Sequence, residues 1–225
     1  MPGPPDAPTD ARAPLNRERV LRTAVDLADA AGIGSLSMRR LAKELGVEAM
    51  SLYHHVADKS DLLDAIVDLV VAEIWVPSPG DEWRSAMRRR AISARDAFIR
   101  HPWALGLIEA SREPGLDRLR YLESVLACLR AAGFPIALAG HAFSTLDSYI
   151  YGFVLQERSL TFDAPDGLVD TGEAILSDMP TGEFPSLQEI IIEFSRTGAG
   201  FAEEFEFGLE LILDGLERAH LEGQA

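Results

Sequence analysis

Apolar residues recur every three or four positions along most of this chain, a spacing that is typical of amphipathic α-helices. The first such run, between residues 15 and 31, comprises Val20, Leu21, Ala24, Val25, Ala28 and Ala31. Gly32 and Gly34 follow it directly, and glycine commonly ends a helix because it adopts left-handed backbone angles without steric cost. The pattern therefore predicts a first helix that ends close to Gly32.

Three more helices are predicted before residue 80. Ser37 is placed to cap the second helix, and Gly46 ends it after about two turns. The third helix is short, and its inward-facing residues are predicted to be Leu52, Tyr53 and Val56. Asp58 and Asp61 favour the start of a fourth helix, since acidic side chains stabilise a helix N-terminus. Short helices joined by a tight glycine turn predict a helix-turn-helix; the alternative is an ordinary three-helix bundle.

Helical spacing continues towards the C-terminus, without the alternation that is typical of β-strands. Further helices are predicted at about 81–100, 102–112, 114–132, 135–159 and 186–221. Between Arg158 and Arg196 the chain has eight acidic residues and no basic one, and residues 161–184 are predicted to form a mobile loop. The proline-rich residues 1–14 are predicted to be a disordered arm. The fold class is therefore all-α.

The charge distribution separates two parts of the chain. The net charge of −15 by itself argues against nucleic-acid binding, but residues 65–225 carry 26 acidic and 13 basic side chains, whereas residues 15–60 carry six and seven. A near-neutral module is thus joined to an acidic body. Cys128 is the single cysteine, so an internal disulfide is excluded. Since the sequence also lacks an apolar stretch of ~18 residues, we expect a cytoplasmic protein without membrane contact.

A motif with fixed spacing runs through residues 15–75. Its positions are Ser37, Arg39, Leu41, Ala42, Leu45, Gly46, Val47, Leu52, Tyr53, His55, Val56, Lys59, Leu62 and Leu63. This pattern resembles the DNA-binding domain of the tetracycline-repressor (TetR) family, and it coincides with the predicted helix ends. The three-helix-bundle alternative does not predict these identities. The resemblance implies a helix-turn-helix DNA-binding domain over residues 15–62 and a helical ligand-binding and dimerisation domain over residues 63–225.

The same resemblance implies that the third helix enters the major groove of DNA. The implied DNA-binding residues are Ser37, Arg39, Arg40, Ala49, Met50, Ser51, Tyr53, His54, His55 and Lys59. Ala49 and Met50 offer only apolar contacts, for example to thymine methyl groups. Arg39 is expected to bind guanine through two hydrogen bonds; the alternative is a solvated charge or a phosphate contact. His54 and His55 are adjacent on a helix and point ~100° apart, so we expect no metal there.

Beyond the DNA-binding module, Asp81-Glu82-Trp83, Phe134 and the stretch from Phe205 to Glu217 resemble the C-terminal domain of the tetracycline-repressor subgroup. Such domains dimerise and bind a small molecule. The expected interface, on helices 135–158 and 199–219, comprises Phe143, Tyr151, Phe205, Leu209, Ile212, Leu213 and Leu216. The alternative is that the stripe on the last helix packs within its own subunit.

An effector pocket is expected among the helices between residues 81 and 158. Its candidate residues are Trp75, Phe98, His101, Trp103, Ile108, Tyr121, His141 and Tyr149, each with the alternative of a plain core role. Members of the subgroup that bind magnesium–tetracycline have a drug-contacting His where this chain has Trp75. They have a metal-ligating His where alignment on Trp83 places Ile108. Magnesium–tetracycline is therefore not the expected effector.

Enzyme motifs do not stand out. The sequence has no Gly-rich phosphate loop, no His-Glu-x-x-His and no Gly-x-Ser-x-Gly, so no catalytic residue, metal or cofactor is expected. The expected function is a homodimeric, ligand-responsive transcriptional regulator. It would act as a repressor that a small-molecule effector releases from a palindromic operator in double-stranded DNA. The alternative is a helical small-molecule-binding protein or enzyme with a vestigial DNA-binding head.

Overall fold

A computed structural model describes residues 14–78, 80–110, 115–160, 175–180, 182–197 and 200–223. The regular structure in these ranges is helical, and none of them contains a β-strand. No helix in the same ranges is long and apolar enough to span a membrane. The chain divides into two compact units, the first ending at Val67 and the second beginning at Asp68.

The first unit contains three helices and the start of a fourth. These are α1 (Arg17–Ala31), α2 (Met38–Leu45), α3 (Ala49–Leu52) and α4 (Lys59–Ala72), and one 3₁₀ turn (Ile33–Ser35) follows α1. The Ser37 side chain caps α2 by accepting a hydrogen bond from the Arg40 amide at 3.2 Å. Gly46 ends α2 with a φ of 69°, a value that favours glycine. The helix-turn-helix predicted from the sequence is thus formed by α2 and α3.

The core of the first unit is apolar and shielded from solvent. Its fully buried side chains include Val20, Ala24, Leu41, Leu52, Leu62 and Ile66. Tyr53, which helical spacing places in the interior, is exposed instead. The reason is that α3 ends at Leu52, so the 3.6-residue period does not extend to Tyr53.

In the described residues, the second unit contains the end of α4, six longer helices and a short helical stretch. These are α5 (Trp83–Arg100), α6 (Ala104–Ala110), α7 (Leu116–Ala131), α8 (Ile136–Leu160), α9 (Pro185–Thr197) and α10 (Phe201–Glu222), and residues 175–178 are also helical. The central helix is α8, which packs against α5, α7 and α10. The largest buried apolar side chains between these helices are Met87, Phe98, Leu129, Phe134, Leu146 and Phe205.

Two boundaries differ from those expected. The sequence predicts one last helix over about residues 186–221, whereas the structure has α9 and α10. Gly200 precedes α10 with extended backbone angles, and Gly198 lies just before it in the sequence, so the low helix propensity of glycine explains the break.

The boundary of the compact units falls after residue 67 rather than residue 62. The predicted arm (1–14) and loop (161–184) lie mostly outside the described residues, although residues 175–178 of that loop are helical.

The apolar stripe of α10 that was expected to form the dimer interface packs inside its own subunit. Phe205 is 1% exposed, Leu209 and Leu213 are fully buried, and Leu216 is nearly so. These side chains lie in the contacts that α10 makes with α5 and α8. The Phe205 ring stacks on Tyr149 with 5.3 Å between the centroids. The stripe is therefore part of the core, which corrects its assignment to the interface; Ile212 on the same helix is half-buried.

Two arginines of α5 pair with the acidic side of α10. Arg84 lies within 3.2 Å of carboxylate oxygens on three residues, and Arg88 pairs with two. The acidic partners on α10 are Glu206, Glu210, Asp214 and Glu217. Because these groups remain partly exposed, the network fixes the register of α10 against α5 more than it adds stability.

Two glycines of α10 provide a matched test of this packing. A Cβ atom at Gly208 would overlap the Tyr149 hydroxyl, whereas at Gly215 it would meet open space. The Tyr149 hydroxyl is held in place because it donates to the Phe205 carbonyl oxygen at 2.9 Å. We therefore expect Gly208→Ala to lower the free energy of unfolding by about 1–3 kcal/mol. Gly215→Ala should raise it by about 0.5–1 kcal/mol, since alanine is the better helix former. Urea unfolding measures the free energy of unfolding of both variants. Equal stabilisation by the two substitutions would contradict the close contact between Gly208 and Tyr149.

Candidate nucleic-acid interface and effector site

Basic side chains are exposed along α2. Arg39 and Arg40 lie in its first turn and Lys43 in its last, and all three are exposed. Ser37 is exposed as well, and its oxygen accepts from the backbone of Arg40. The hydroxyl proton of Ser37 can therefore still be donated to an acceptor such as a phosphate oxygen. This end of α2 has both the charge and the donors that a DNA backbone requires.

The next helix, α3, presents small side chains around one protruding methionine. Met50 is 73% exposed, Ala49 and Ser51 are partly exposed, and Leu52 is fully buried. Residues two positions apart on a helix point in nearly opposite directions, so the anchoring of Leu52 in the core turns Met50 outwards. Neither Met50 nor Ala49 has a strong hydrogen-bonding side chain, so these two can contact bases only through apolar groups. The partly exposed Ser51 adds a hydroxyl that can donate or accept a hydrogen bond.

The segment between α3 and α4 is held against α1 by Arg17. The Arg17 guanidinium donates to the His55 carbonyl oxygen at 2.5 Å and lies 3.5 Å from the Asp61 carboxylate. Asp61 in turn accepts from the Ala57 amide at 2.7 Å. Sequence reasoning missed Arg17, because helical spacing places it on the same polar side of α1 as its neighbours. Around this segment the structure places Tyr53, His54 and Lys59 in exposed positions and His55 in a half-buried one.

Loss of the Arg17 contacts is expected to weaken DNA binding without unfolding the protein. In Arg17→Ala the segment around His55 loses its tie to α1, so phosphate contacts from this segment should weaken several-fold on every DNA sequence. Arg22→Ala is the matched control, because Arg22 has the same charge and its ion pair in the described part of the chain is with Glu18, on the exposed surface of α1. Fluorescence anisotropy measures both variants. Equal effects of the two substitutions would mean that only the lost charge matters.

In the second unit, a buried arginine lies between α5, α7 and α8. Arg90 is 1% exposed. Its Nε donates to the Tyr121 hydroxyl oxygen at 2.5 Å, and its Nη2 donates to the Asp147 carboxylate. The other oxygen of Asp147 accepts from the Tyr151 hydroxyl at 3.4 Å. The remaining nitrogen, Nη1, has no hydrogen-bond partner among the residues that the structure describes.

Aromatic rings enclose this guanidinium. Its carbon lies 5.1 Å from the centroid of the Tyr121 ring and 5.2 Å from that of Phe143, distances at which a cation attracts the face of a ring. Phe98 meets Tyr151 edge-on at 5.5 Å. We call Arg90, Tyr121, Phe143, Asp147 and Tyr151 the Arg90 cluster. Phe143 and Tyr151 belong to this cluster and remain half-buried, so their place in the dimer interface stays a prediction.

The protonation states in the cluster follow from its burial. Burial raises the pKa of Tyr121 to about 12 and places that of Tyr151 well above its ordinary value, so both hydroxyls keep their protons at neutral pH. Burial also raises the pKa of Asp147, although Arg90 acts to lower it. For Arg90 burial lowers the pKa, but Tyr121 and Asp147 outweigh burial and raise it overall. Arg90 is therefore a cation in the interior.

The residues expected to form the effector pocket do not share one site. Phe98 and Tyr121 lie at the Arg90 cluster, whereas Tyr149 packs on α10 and His141 is exposed on α8. His101 instead lies 3.2 Å from the Glu73 carboxylate and meets the Trp103 ring edge-on, and Ile108 is half-buried on α6. Of the expected pocket residues, the structure thus brings only Phe98 and Tyr121 together at the Arg90 cluster.

Trp75 lines a separate cavity of about 550 Å³. Its walls are Glu73, Trp75, Ser85, Arg88, Arg89, Ile92, Ser93, Asp96 and Arg100. The Trp75 amide donates to the Ser93 hydroxyl at 2.8 Å, and Arg89 lies over the Trp75 ring at 4.3 Å. The cavity is lined mainly by charged residues, so its chemistry differs from that of the aromatic cluster around Arg90.

Sequence reasoning did not single out Arg90 or Asp147. Arg90 lies one turn from the buried residues Met87 and Ala94, and Asp147 directly follows the buried Leu146. A charged residue at a position where helical spacing expects an apolar one is the signal that could have identified both.

Together these features define a class of protein: a helical regulator with a helix-turn-helix DNA-binding unit and a second helical unit with a polar cluster in its interior. Residues 20–66 match the family model of the tetR family of bacterial regulatory proteins, and residues 76–220 match that of the tetracyclin repressor-like C-terminal domain. The chain belongs to the TetR family, and it is a ligand-responsive, DNA-binding transcriptional regulator.

Similar proteins cover nearly the whole chain. It is 33% identical over 210 residues to the tetracycline repressor protein class A from transposon 1721 of Escherichia coli, covering 92% of this chain and 93% of that protein. It is 32% identical over 215 residues to the transcriptional repressor DrrR1 of Streptomyces coeruleorubidus, covering 90% and 77%. The solved structure of Streptomyces coelicolor ActR in complex with actinorhodin matches with a TM-score of 0.75 and 29% identity, covering 92% and 99%.

Proposed function

We propose that this protein represses transcription as a cytoplasmic homodimer on a palindromic operator, and that a small molecule bound in the second unit releases it. The observation that carries the proposal is the surface formed by α2 and α3. Basic side chains at Arg39 and Arg40 and the protruding Met50 are exposed there, on a chain whose net charge is −15. Such a surface fits a major groove flanked by phosphates.

Within this surface we assign different roles to the side chains. Arg39 binds a guanine edge, and Ala49, Met50 and Ser51 lie against neighbouring bases. The remaining predicted DNA-binding residues contact phosphates: Ser37, Arg40, Tyr53, His54, His55 and Lys59. Exposure of most of these side chains in the structure supports the assignment. Base contacts give sequence preference, whereas phosphate contacts give affinity for any sequence.

Arg39 and Lys59 are expected to respond differently to substitution by alanine. Arg39→Ala should cost ~1–3 kcal/mol on the operator and relax the preference at one base position, whereas Lys59→Ala should weaken binding to all sequences alike. Binding to the operator and to single-base variants of it, measured by anisotropy, separates the two. If Arg39→Ala lowers affinity equally for operator and random DNA, Arg39 contacts phosphate instead.

For the homodimer, we propose that the outward side of α10 forms the interface together with α8. Phe207, Leu211 and Leu221 are exposed at helical spacing on α10, as is Leu155 on α8. An exposed apolar stripe of this kind is typical of an interaction surface. Two helices from each subunit would form a four-helix interface. Two DNA-binding units would then occupy major grooves ~34–36 Å apart along the operator.

The proposed effector binds in the second unit and lowers operator affinity through its differential affinity for two conformations of the dimer. The structure of the similar protein ActR in complex with actinorhodin supports a small organic effector. Magnesium–tetracycline is not proposed, because Trp75 and Ile108 replace the two histidines expected for it.

The test is fluorescence anisotropy of the purified protein on DNA from its own upstream region and on scrambled DNA, across a range of salt. We expect selectivity of ~10³-fold or more and a steep salt dependence. Weak, equal binding to both, followed by failure to select any genomic fragment, would instead favour a ligand-binding protein with a vestigial DNA-binding head. Deletion of the gene should raise transcription next to a selected operator, and a fall would indicate an activator.

A further inference from the structure

We propose that Nη1 of Arg90 is the donor that binds the effector, and that the effector is an uncharged, flat aromatic compound with a carbonyl oxygen. This inference rests on the proposed function, since that function places a small molecule in the second unit. It adds the recognition residue and the chemical class of the ligand.

The first step of the inference counts donors. A guanidinium carries five N–H groups. In Arg90 the one on Nε donates to Tyr121, and Nη2 donates to Asp147. The two on Nη1 have no acceptor among the described residues, although the side chain is 1% exposed. A buried donor without an acceptor is costly. An acceptor brought by a ligand removes that cost, so the unpaired Nη1 favours ligand binding at this position.

The second step concerns charge. Asp147 already accepts from the Arg90 guanidinium, so the site needs no further counter-ion. An anionic ligand would have to leave water and place its charge close to the Asp147 carboxylate, which is unfavourable. A carbonyl oxygen supplies the missing acceptor without a charge, and its hydrogen bond to a cation is stronger than one to a neutral donor.

The third step concerns shape. Tyr121, Phe143 and Tyr151 surround the guanidinium, yet each keeps part of its surface accessible. Phe98 supports the Tyr151 ring edge-on from within the core. Partly exposed rings around a buried donor form walls for a planar ligand, because aromatic rings stack or meet edge-to-face. A flat aromatic compound can therefore place its carbonyl at Nη1 while its rings lie against these side chains.

Three probes that share one tricyclic ring system test the chemical class: 9-fluorenone, fluorene and fluorene-9-carboxylate. Fluorenone differs from fluorene by the carbonyl oxygen, and the carboxylate adds an anion to the same ring system. Isothermal titration of the full chain should show that fluorenone binds about tenfold or more tightly than fluorene, as expected for a hydrogen bond to a charged donor. Equal binding of fluorenone and fluorene, tighter binding of the carboxylate, or binding of none of the three would overturn the inference.

Substitutions test the residue. Arg90→Met removes the donor while keeping most of the volume, and Asp147, whose pKa burial raises, can then take up a proton. We expect fluorenone and fluorene to bind Arg90→Met within about twofold of each other, with the helical content unchanged. Arg90→Lys keeps a cation and should retain part of the preference if Arg90→Met proves unstable. Arg89→Met, in the separate cavity beside Trp75, is the control. A preference that is lost in Arg89→Met and kept in Arg90→Met would place the site in that cavity and overturn the inference.

The same proteins separate this inference from the proposed function. Operator binding is measured for the wild type without any probe. Selective operator binding without discrimination between fluorenone and fluorene overturns the inference alone. Discrimination that depends on Arg90 in a protein without selective DNA binding overturns the proposed repressor and leaves the binding site standing.

Discussion

Phe205→Ala is expected to lower the free energy of unfolding by about 3–5 kcal/mol, the usual cost of removing a fully buried aromatic ring. The Phe205 ring lies between Tyr149 and Phe153, with centroid distances of 5.3 and 5.1 Å, and Arg95 lies over it at 5.5 Å. Truncation therefore leaves a cavity between α8 and α10 that rigid helices cannot fill. Urea unfolding at several protein concentrations separates this intrinsic loss from any effect of dimer dissociation.

Phe207→Ala is the matched control on the same helix. Phe207 is 65% exposed, so its truncation should change the intrinsic stability by no more than about 0.5 kcal/mol. If α10 forms the proposed interface, the same substitution should raise the dimer dissociation constant, which sedimentation equilibrium measures. The opposite result, in which Phe205→Ala dissociates the dimer and leaves the subunit stability unchanged, would restore the buried stripe as the interface.

Asp147→Ala is expected to cost about 3–5 kcal/mol, because it leaves the Arg90 guanidinium buried without its carboxylate partner. The size of the effect comes from the desolvated charge and not from the volume of the side chain. The same experiment on Asp214→Ala should show a change of no more than about 1 kcal/mol, since Asp214 pairs with Arg84 at 2.6 Å in a partly exposed position.

A double substitution checks the cause of the Asp147 effect. Combining Asp147→Ala with Arg90→Met removes the uncompensated charge, so much of the lost stability should return, as it does when a buried ion pair is replaced by apolar groups. If the double variant is as unstable as the sum of the single ones, the loss arises from packing and the charge of Arg90 is not the cause.

The first unit could be predicted well because its signals are local. Ser37 caps α2 by accepting a hydrogen bond from the amide of Arg40, three residues later in the chain. Gly46 ends the helix with left-handed backbone angles that other residues adopt only with strain. Each of these features acts over three or four residues, so the residue responsible and the helix end that it determines lie in one short stretch of sequence. Prediction from local signals fails at α3. Its four residues are too few for helical spacing to predict whether Tyr53, the next residue, is buried or exposed.

The second unit was harder to predict because its outcome depends on which surfaces meet. Helix α10 has apolar side chains on two sides, with Phe205 and Leu209 on one and Phe207 and Leu211 on the other. When both sides are apolar, the period predicts a helix but does not indicate which side faces the core. Arg90 poses a related problem, because its partner Asp147 lies 57 residues away in the chain. Only the packing of α5 against α8 brings the two together.

The separation of charge along the chain also affects how quickly an operator is found. DNA repels the acidic side chains that α10 leaves exposed, including Glu203 and Glu204, and attracts Arg39, Arg40 and Lys43 on α2. In the proposed repressor, diffusional encounters are therefore biased towards those in which α2 meets the DNA, which raises the fraction of productive collisions. The same repulsion shortens the time that the protein spends on unrelated sequences. The proposed repressor would thus combine fast association with its operator and rapid dissociation from unrelated DNA.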